Sequence, residues 1–202
     1  LKGRALDQEI AEDAYHTPYI RPLVQPKFRR EKKGLTPAER GTATHLVLQY
    51  LDLQNLDVPG QVEKLRLEAK LTAEQAAAVD VPALRRFLES PLAEEMRQAE
   101  TAAREYRFTV LMPARDYDPA AAEEDSILLQ GVVDCWFETP EGITVVDFKT
   151  DFVQTEEDVA QHAELYRGQL AAYSLALERV LEKAVTRKAL YFLQAGKTVE
   201  IS

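Results

Sequence analysis

Two hydrophobic runs in this 202-residue chain each end in an acid, Gly131-Val132-Val133-Asp134 and Val145-Val146-Asp147-Phe148-Lys149-Thr150-Asp151. The second run adds Lys149 two residues beyond its aspartate. Two carboxylates can hold a divalent cation, and a lysine beside them can orient a water or stabilise charge on a phosphate. Glu138-Thr139-Pro140-Glu141-Gly142 separates the runs and has the composition of a turn. A hairpin symmetric about Pro140-Glu141 sets Glu138 opposite Ile143, Trp136 opposite Val145 and Asp134 opposite Asp147. Directly opposed Cβ atoms lie about 5 Å apart, so the two acids would repel unless a cation or proton sits between them. A Gly bulge at Gly142 is an equally open alternative and would shift that register by one. Strand alternation puts Asp147 and Lys149 on one face and Phe148 on the other. The Phe148 carbonyl is then available as an oxygen ligand.

Taken singly, these residues are weak signals. An Asp-x-Lys on a strand is more often a surface ion pair than a catalytic site. Asp134 stands in a run apolar enough to require a partner, for which an arginine would serve as well as a metal.

The elements that position these residues follow from period and punctuation. Thr36-Pro37-Ala38-Glu39 is a helix start, with Thr36 as N-cap and Glu39 at the capping-box position. The helix it opens carries Gly41-Thr42-Ala43-Thr44-His45 and runs to Leu51. Residues 61–103 are rich in Ala, Leu, Glu and Arg, with cap signals at Thr72 and Ser90-Pro91, and predict three or four short helices. Strands are predicted over 104–112, 127–137 and 143–148, followed by a helix over 163–183 and strands over 189–193 and 198–201. The order is helices, three strands, a long helix and two strands. That is an α/β fold with a mixed sheet, not an alternating doubly wound repeat. The first 34 residues, interrupted by Pro18, Pro22 and Pro26 and ending in a basic run from Lys27 to Lys33, read as a linker or arm; the domain proper spans 35–202.

Bulk composition narrows the function. The chain is 46% hydrophobic, enough for one substantial core, and has no stretch of the ~20 apolar residues that would cross a membrane. It does not begin with Met and reads as part of a longer polypeptide. Its one cysteine, Cys135, excludes an internal disulfide and a four-cysteine zinc or iron–sulfur site, and makes a reducing cytoplasm the default. With Lys+Arg 25 against Asp+Glu 34, the net charge is −9, unlike a free-standing nucleic-acid binder. No Gly-x-x-x-x-Gly-Lys-Ser/Thr loop is present, so no ATP site is expected.

Four segments together resemble the successive motifs of the RecB-type nucleases, a branch of the PD-(D/E)xK superfamily with a restriction-endonuclease-like core. They are Gly41-Thr42-Ala43-x-His45, Gly131-Val132-Val133-Asp134, Val146-Asp147-Phe148-Lys149-Thr150-Asp151 and Tyr166-x-x-Gln169-x-x-x-Tyr173. Flanking text from Thr36 to Ala43, from Leu51 to Leu53 and from Arg104 to Phe108 is similar to the AddA branch of that family. The resemblance covers the chain from about Pro26, with Phe148 where a tyrosine is common.

The resemblance implies His45, Asp134, Asp147 and the Phe148 carbonyl as ligands of Mg²⁺, with Mn²⁺ able to substitute. It implies Lys149 as the catalytic lysine, and Gln169 and Tyr173 beside the site, contacting the substrate strand or buttressing the lysine. Glu105 resembles an acidic family position, though a salt bridge to Arg104 or Arg107 would explain it equally. Asp151 is a second-tier candidate, read as capping the loop after Thr150. His16 and His162 match no motif and are read as surface residues; Trp136 and Cys135 are read as sheet packing. Further implied are an exonuclease acting on single-stranded DNA in recombinational double-strand break repair, a helicase portion upstream in the same protein, AddB as a partner, and a bacterial, nucleoid-associated location. A stand-alone or CRISPR-associated exonuclease, and a non-catalytic DNA clamp on the same fold, are the competing readings. Many of the former carry cluster cysteines, and the latter should have lost one of the four central residues.

Overall fold

A computed structural model describes residues 34–116, 119–151, 153 and 155–201. The proposed arm over residues 1–33, with its basic run and His16, lies outside the described residues. Residues from Thr36 onward form one compact unit.

Helix α1 (Pro37–Tyr50) begins with the capping box its sequence predicts: Glu39 N–H donates to Thr36 Oγ1 at 3.2 Å, and Thr36 N–H to Glu39 Oε2 at 2.8 Å. Four shorter helices follow, α2 (Val58–Leu67), α3 (Ala73–Ala78), α4 (Val81–Leu88) and α5 (Pro91–Gln98). Each opens on a polar cap, Asp57, Thr72, Asp80 and Ser90, whose side chain accepts a backbone N–H of the first turn. Such a cap stabilises a helix by about 1 kcal/mol, which matters for helices this short.

The chain then forms β1 (Ala102–Pro113), β2 (Ser126–Thr139) and β3 (Gly142–Lys149), helix α6 (Glu156–Leu181), and strands β4 (Val185–Phe192) and β5 (Lys197–Glu200). The sheet order among the described residues is β1-β2-β3-β4-β5, antiparallel except for the parallel β3–β4 pair joined through α6. The mixed sheet with flanking helices is the architecture expected. Helix α6 starts seven residues before the predicted 163, because Thr155 and Asp158 form a capping box ahead of the apolar stripe. Strands β1 to β3 outrun both predicted ends by one or two residues, while β4 and β5 start four residues and one residue early and each stop one residue short, since ladder pairing rather than apolar character sets their limits.

Two apolar layers cover opposite faces of the sheet. On one side Cys135, Phe137, Val146, Phe148 and Tyr191 pack with α1 to α5. Phe87 of α4 meets Phe148 and Tyr191 edge-on at 5.1 and 5.0 Å. On the other side Val133, Trp136, Val145, Leu190 and Phe192 pack with Leu170, Ala176 and Leu177 of α6. Strand β3 is buried on both faces, which explains its near-continuous hydrophobic run.

Candidate active site

The site begins where a ladder ends. The β2–β3 hairpin takes the symmetric register, pairing Glu138 with Ile143, Trp136 with Val145 and Cys135 with Val146, and the assigned pairing stops there. The next two residues toward the open end are Asp134 and Asp147. Instead of a ladder bond, Phe148 N–H donates to the side chain, reaching Asp134 Oδ2 at 2.8 Å. The two strands therefore fork with a carboxylate at the crotch.

On its other edge β2 pairs with β1, and that ladder skips the same level: Arg104 pairs with Cys135 and Tyr106 with Val133, with Glu105 and Asp134 between them. Glu105 has φ +52°, a left-handed conformation disfavoured for a residue with a Cβ. The irregularity switches face. Arg104 reaches toward α1, donating to the carbonyls of Leu48 and Leu51 at 2.9 and 2.5 Å, whereas Tyr106 belongs to the α6 layer. Backbone strain held by surrounding structure is often found at functional sites. Arg104 is thus committed to the end of α1 and does not pair with Glu105; Arg107 exerts only a through-space charge effect on it. The salt-bridge explanation of Glu105 through Arg104 fails for that reason.

His45 reaches the fork from α1. Its Nδ1 lies 3.5 Å from Asp134 Oδ2. Gly41, one turn earlier, permits the approach: a Cβ there would stand 3.1 Å from Thr150 Oγ1, just beyond the end of β3. Among the described residues His45, Glu105 and Asp134 form one group whose potential ligand atoms all lie within 4.8 Å of one another. Asp147 is outside that group, because its carboxylate is drawn to Lys149 Nζ at 2.8 Å. The three-residue gathering thus differs from the set His45, Asp134 and Asp147: Glu105, placed second by sequence, is in it.

The electrostatics fit a cation site. Burial alone would lower the pKa of His45, but the bond and charge of Asp134, with Asp147 and Glu105 behind it, raise it to about 9. Burial raises Asp147 to about 6, and the charge of Asp134 adds to this against the opposing pull of Lys149. Burial and Asp134 likewise raise Glu105. Two acids and an imidazole around Asp134 hold protons more tightly than usual, the signature of missing positive charge. Asp147 Oδ2 is also buried with no hydrogen bond aligned on it, despite its ion pair with Lys149. Carboxylate oxygens and one imidazole suit a hard divalent ion such as Mg²⁺ or Mn²⁺, so the residues present fit the metal that the resemblance implies.

Helix α6 supplies the other half. Lys149 Nζ donates to Gln169 Oε1 at 3.1 Å, and Gln169 Nε2 donates to Tyr173 Oη at 2.8 Å. Tyr173 stacks edge-on against Phe108 at 6.0 Å, and Phe108 lies over Gly131, where a Cβ would come within 2.7 Å of the ring. The glycine of Gly131-Val132-Val133-Asp134 is therefore a packing requirement. The ring of Tyr166 lies 3.4 Å from Lys149 Nζ, and its Oη donates to Asp151 Oδ2 at 2.8 Å. Asp151 thus faces α6 and does not cap the loop after Thr150. His162 keeps 39% of its side chain exposed, as the surface reading has it, but its Nδ1 is covered and lies 3.7 Å from Asp151 Oδ2. Nothing in the sequence pointed to His162, although its spacing of four from Tyr166 sets it on the same helix face.

A mixed sheet with helices on both faces, forked over paired acids and a lysine, is the arrangement of metal-dependent nucleases. This chain belongs to the PD-(D/E)XK nuclease superfamily, whose family model matches residues 14–200. It is 39% identical over 200 residues to the ATP-dependent helicase/nuclease AddA of Acetivibrio thermocellus and 37% over 199 residues to that of Ruminiclostridium cellulolyticum. Each alignment covers 96% of this chain but 16% of the relative. The protein of the same name from Bacillus cytotoxicus is 36% identical over 208 residues, with 95% and 17% covered. The chain therefore spans about one-sixth of the length of the curated relatives it matches.

Proposed function

We propose that this chain is the nuclease domain of an AddAB-type helicase–nuclease, a Mg²⁺-dependent exonuclease that hydrolyses phosphodiester bonds of single-stranded DNA during recombinational repair of double-strand breaks. The observation that carries the reading is the convergence at one fork of His45, Glu105 and Asp134 with the Asp147–Lys149 pair. The helicase portion of the same protein, AddB as its partner, and a bacterial cytoplasmic, nucleoid-associated setting belong to this reading, supported by the names and greater length of the relatives. Residues ahead of Thr36 would then link the domain to the helicase. Affinity for DNA residing largely in those other parts accommodates a net charge of −9.

His45, Asp134, Asp147 and the Phe148 carbonyl would hold the metal, with Glu105 beside them. When bound, such an ion polarises phosphate oxygens and lowers the pKa of a water. Lys149 orients the attacking water and stabilises charge gathering on the phosphoryl oxygens. Gln169 fixes the Lys149 ammonium, and Tyr173 fixes Gln169. Digestion of labelled single-stranded DNA tests the reading, with Mg²⁺, Mn²⁺ or chelator and beside Asp147→Ala and Lys149→Ala. Cleavage is expected with either ion and not with chelator or either variant; activity surviving either substitution would sink it.

A further inference from the structure

The Lys149 ammonium is bounded by three groups: Asp147 Oδ2 at 2.8 Å, Gln169 Oε1 at 3.1 Å and the face of the Tyr166 ring at 3.4 Å. Gln169 is secured in turn by Tyr173. Tyr166 has its own support, since its Oη donates to Asp151 Oδ2 at 2.8 Å, two residues beyond the lysine on the segment leaving β3. Lys149 is thereby held by two parallel relays, lysine–glutamine–tyrosine and lysine–tyrosine–aspartate, both on the α6 side of the sheet.

The second relay has a reason to exist beyond packing. A metal at the fork would draw the Asp147 carboxylate toward itself, as the other ligand groups already gather there. Lys149 would then lose its shortest contact at the moment its position matters. The carbonyl oxygen of one amide leaves a four-carbon side chain free to swing about that contact. A π face on a second side restricts the swing and favours a cation electrostatically, and it offers no lone pair that would capture the ammonium. A ring does this only while its plane is fixed. For Tyr166 the Asp151 bond ties the far end of the ring to the segment that leaves the lysine's strand.

We propose that Tyr166 and Asp151 are positioning residues for Lys149: Asp151 fixes the Tyr166 ring, and the ring holds the ammonium in its working place once Asp147 turns to the metal. This rests on the proposed nuclease function and names the part of that site which sets the lysine. Asp151, which also has His162 Nδ1 at 3.7 Å, acts on the lysine through Tyr166, so the two should behave as one unit.

The test is steady-state cleavage of single-stranded DNA by the intact protein and by Tyr166→Phe, Tyr166→Leu, Asp151→Ala, Asp151→Asn and the double variant Tyr166→Phe/Asp151→Ala. Melting temperature and Mn²⁺ affinity are measured alongside. Removing the ring in Tyr166→Leu should lower kcat by roughly tenfold or more with KM little changed, the size of a lost cation–π contact expressed in the rate. Tyr166→Phe and Asp151→Ala should each lower kcat by about threefold, within the range of one lost hydrogen bond, and the double variant should be no worse than either. Asp151→Asn, which still offers an oxygen to the tyrosine hydroxyl, should restore most of the rate.

Equal kcat in wild type and Tyr166→Leu would overturn the inference, as would multiplying losses in the double variant. So would losses that follow Mn²⁺ affinity or melting temperature. Absence of metal-dependent cleavage by the wild-type protein would instead remove the nuclease reading itself. An active wild type with inert Asp147→Ala and unaffected Tyr166→Leu would remove only the positioning role.

Discussion

Phe148 gives its backbone N–H to the side chain of Asp134, at 2.8 Å, where the ladder between their strands would otherwise continue. One carboxylate oxygen thus ends the sheet pairing and faces His45 at 3.5 Å. Asp134→Asn keeps an acceptor for Phe148 but removes the charge. It should leave the melting temperature within a few degrees of wild type while weakening Mn²⁺ binding at least about tenfold, as loss of a charged ligand group does. Calorimetric titration beside a thermal melt separates the two, and unchanged Mn²⁺ affinity would exclude Asp134 as a ligand.

Lys149→Ala strips the buried Asp147 of the cation that offsets it. Breaking a buried pair from one side costs about 3–5 kcal/mol. The variant should therefore be destabilised by that order in urea unfolding with chelator present, and added Mg²⁺ should recover much of the loss. Destabilisation that divalent ions leave untouched would separate the Asp147 carboxylate from the metal site.

Gly131→Ala drives a Cβ to within 2.7 Å of the Phe108 ring and 3.4 Å of the Tyr173 ring, which meets Phe108 edge-on. Overpacking of this kind costs about 1–3 kcal/mol. Thermal unfolding should register it, and Phe108→Leu introduced in the same chain should return part of the loss. An additive double variant would mean that the ring is not what excludes the methyl.

The metal-free protein should lose stability as pH rises. His45 is raised from 6.5 to about 9 and Asp147 from 3.8 to about 6, so the folded state binds more protons than the unfolded chain across both windows. The slope of stability against pH is therefore negative. The Asp147 contribution disappears between about pH 4 and 6, and the His45 contribution between about pH 6.5 and 9. Divalent ions compete with those protons, so their affinity should climb through the same range. Melting temperatures from about pH 6 to 9.5 in chelator should fall for wild type and flatten for His45→Asn. A wild-type profile that rises there contradicts the assignment.

Burial pushes the Cys135 thiol up to about 12, so little thiolate exists at neutral pH. An alkylating reagent should label it at a rate set by unfolding, and the rate should rise sharply only in denaturant.

The architecture was legible where one local signal decides each element. Thr36, Thr72, Ser90 and Thr155 cap their helices through their own side chains, and the hairpin register follows from a short turn. Of these, only the Thr155 cap went unread, which set the predicted start of α6 too late. Long-range relations were harder to read. Nothing local says that Glu105 takes a positive φ, since the strain is imposed by the ladders on both sides of it. Arg104 and Glu105 look like an ion pair in sequence, yet the guanidinium is claimed by two helix carbonyls 56 and 53 residues away. Asp151 read as a loop cap because its partner, Tyr166, lies across a turn of chain.

The two apolar layers on opposite faces of the sheet make the candidate site a product of complete folding. The α1 layer delivers His45, the α6 layer delivers Gln169, Tyr166 and Tyr173, and β3, sealed between them, holds Asp147 and Lys149. A chain with either layer undocked holds only half of the candidate site. On the proposed function, divalent-ion affinity would then report that both layers have docked.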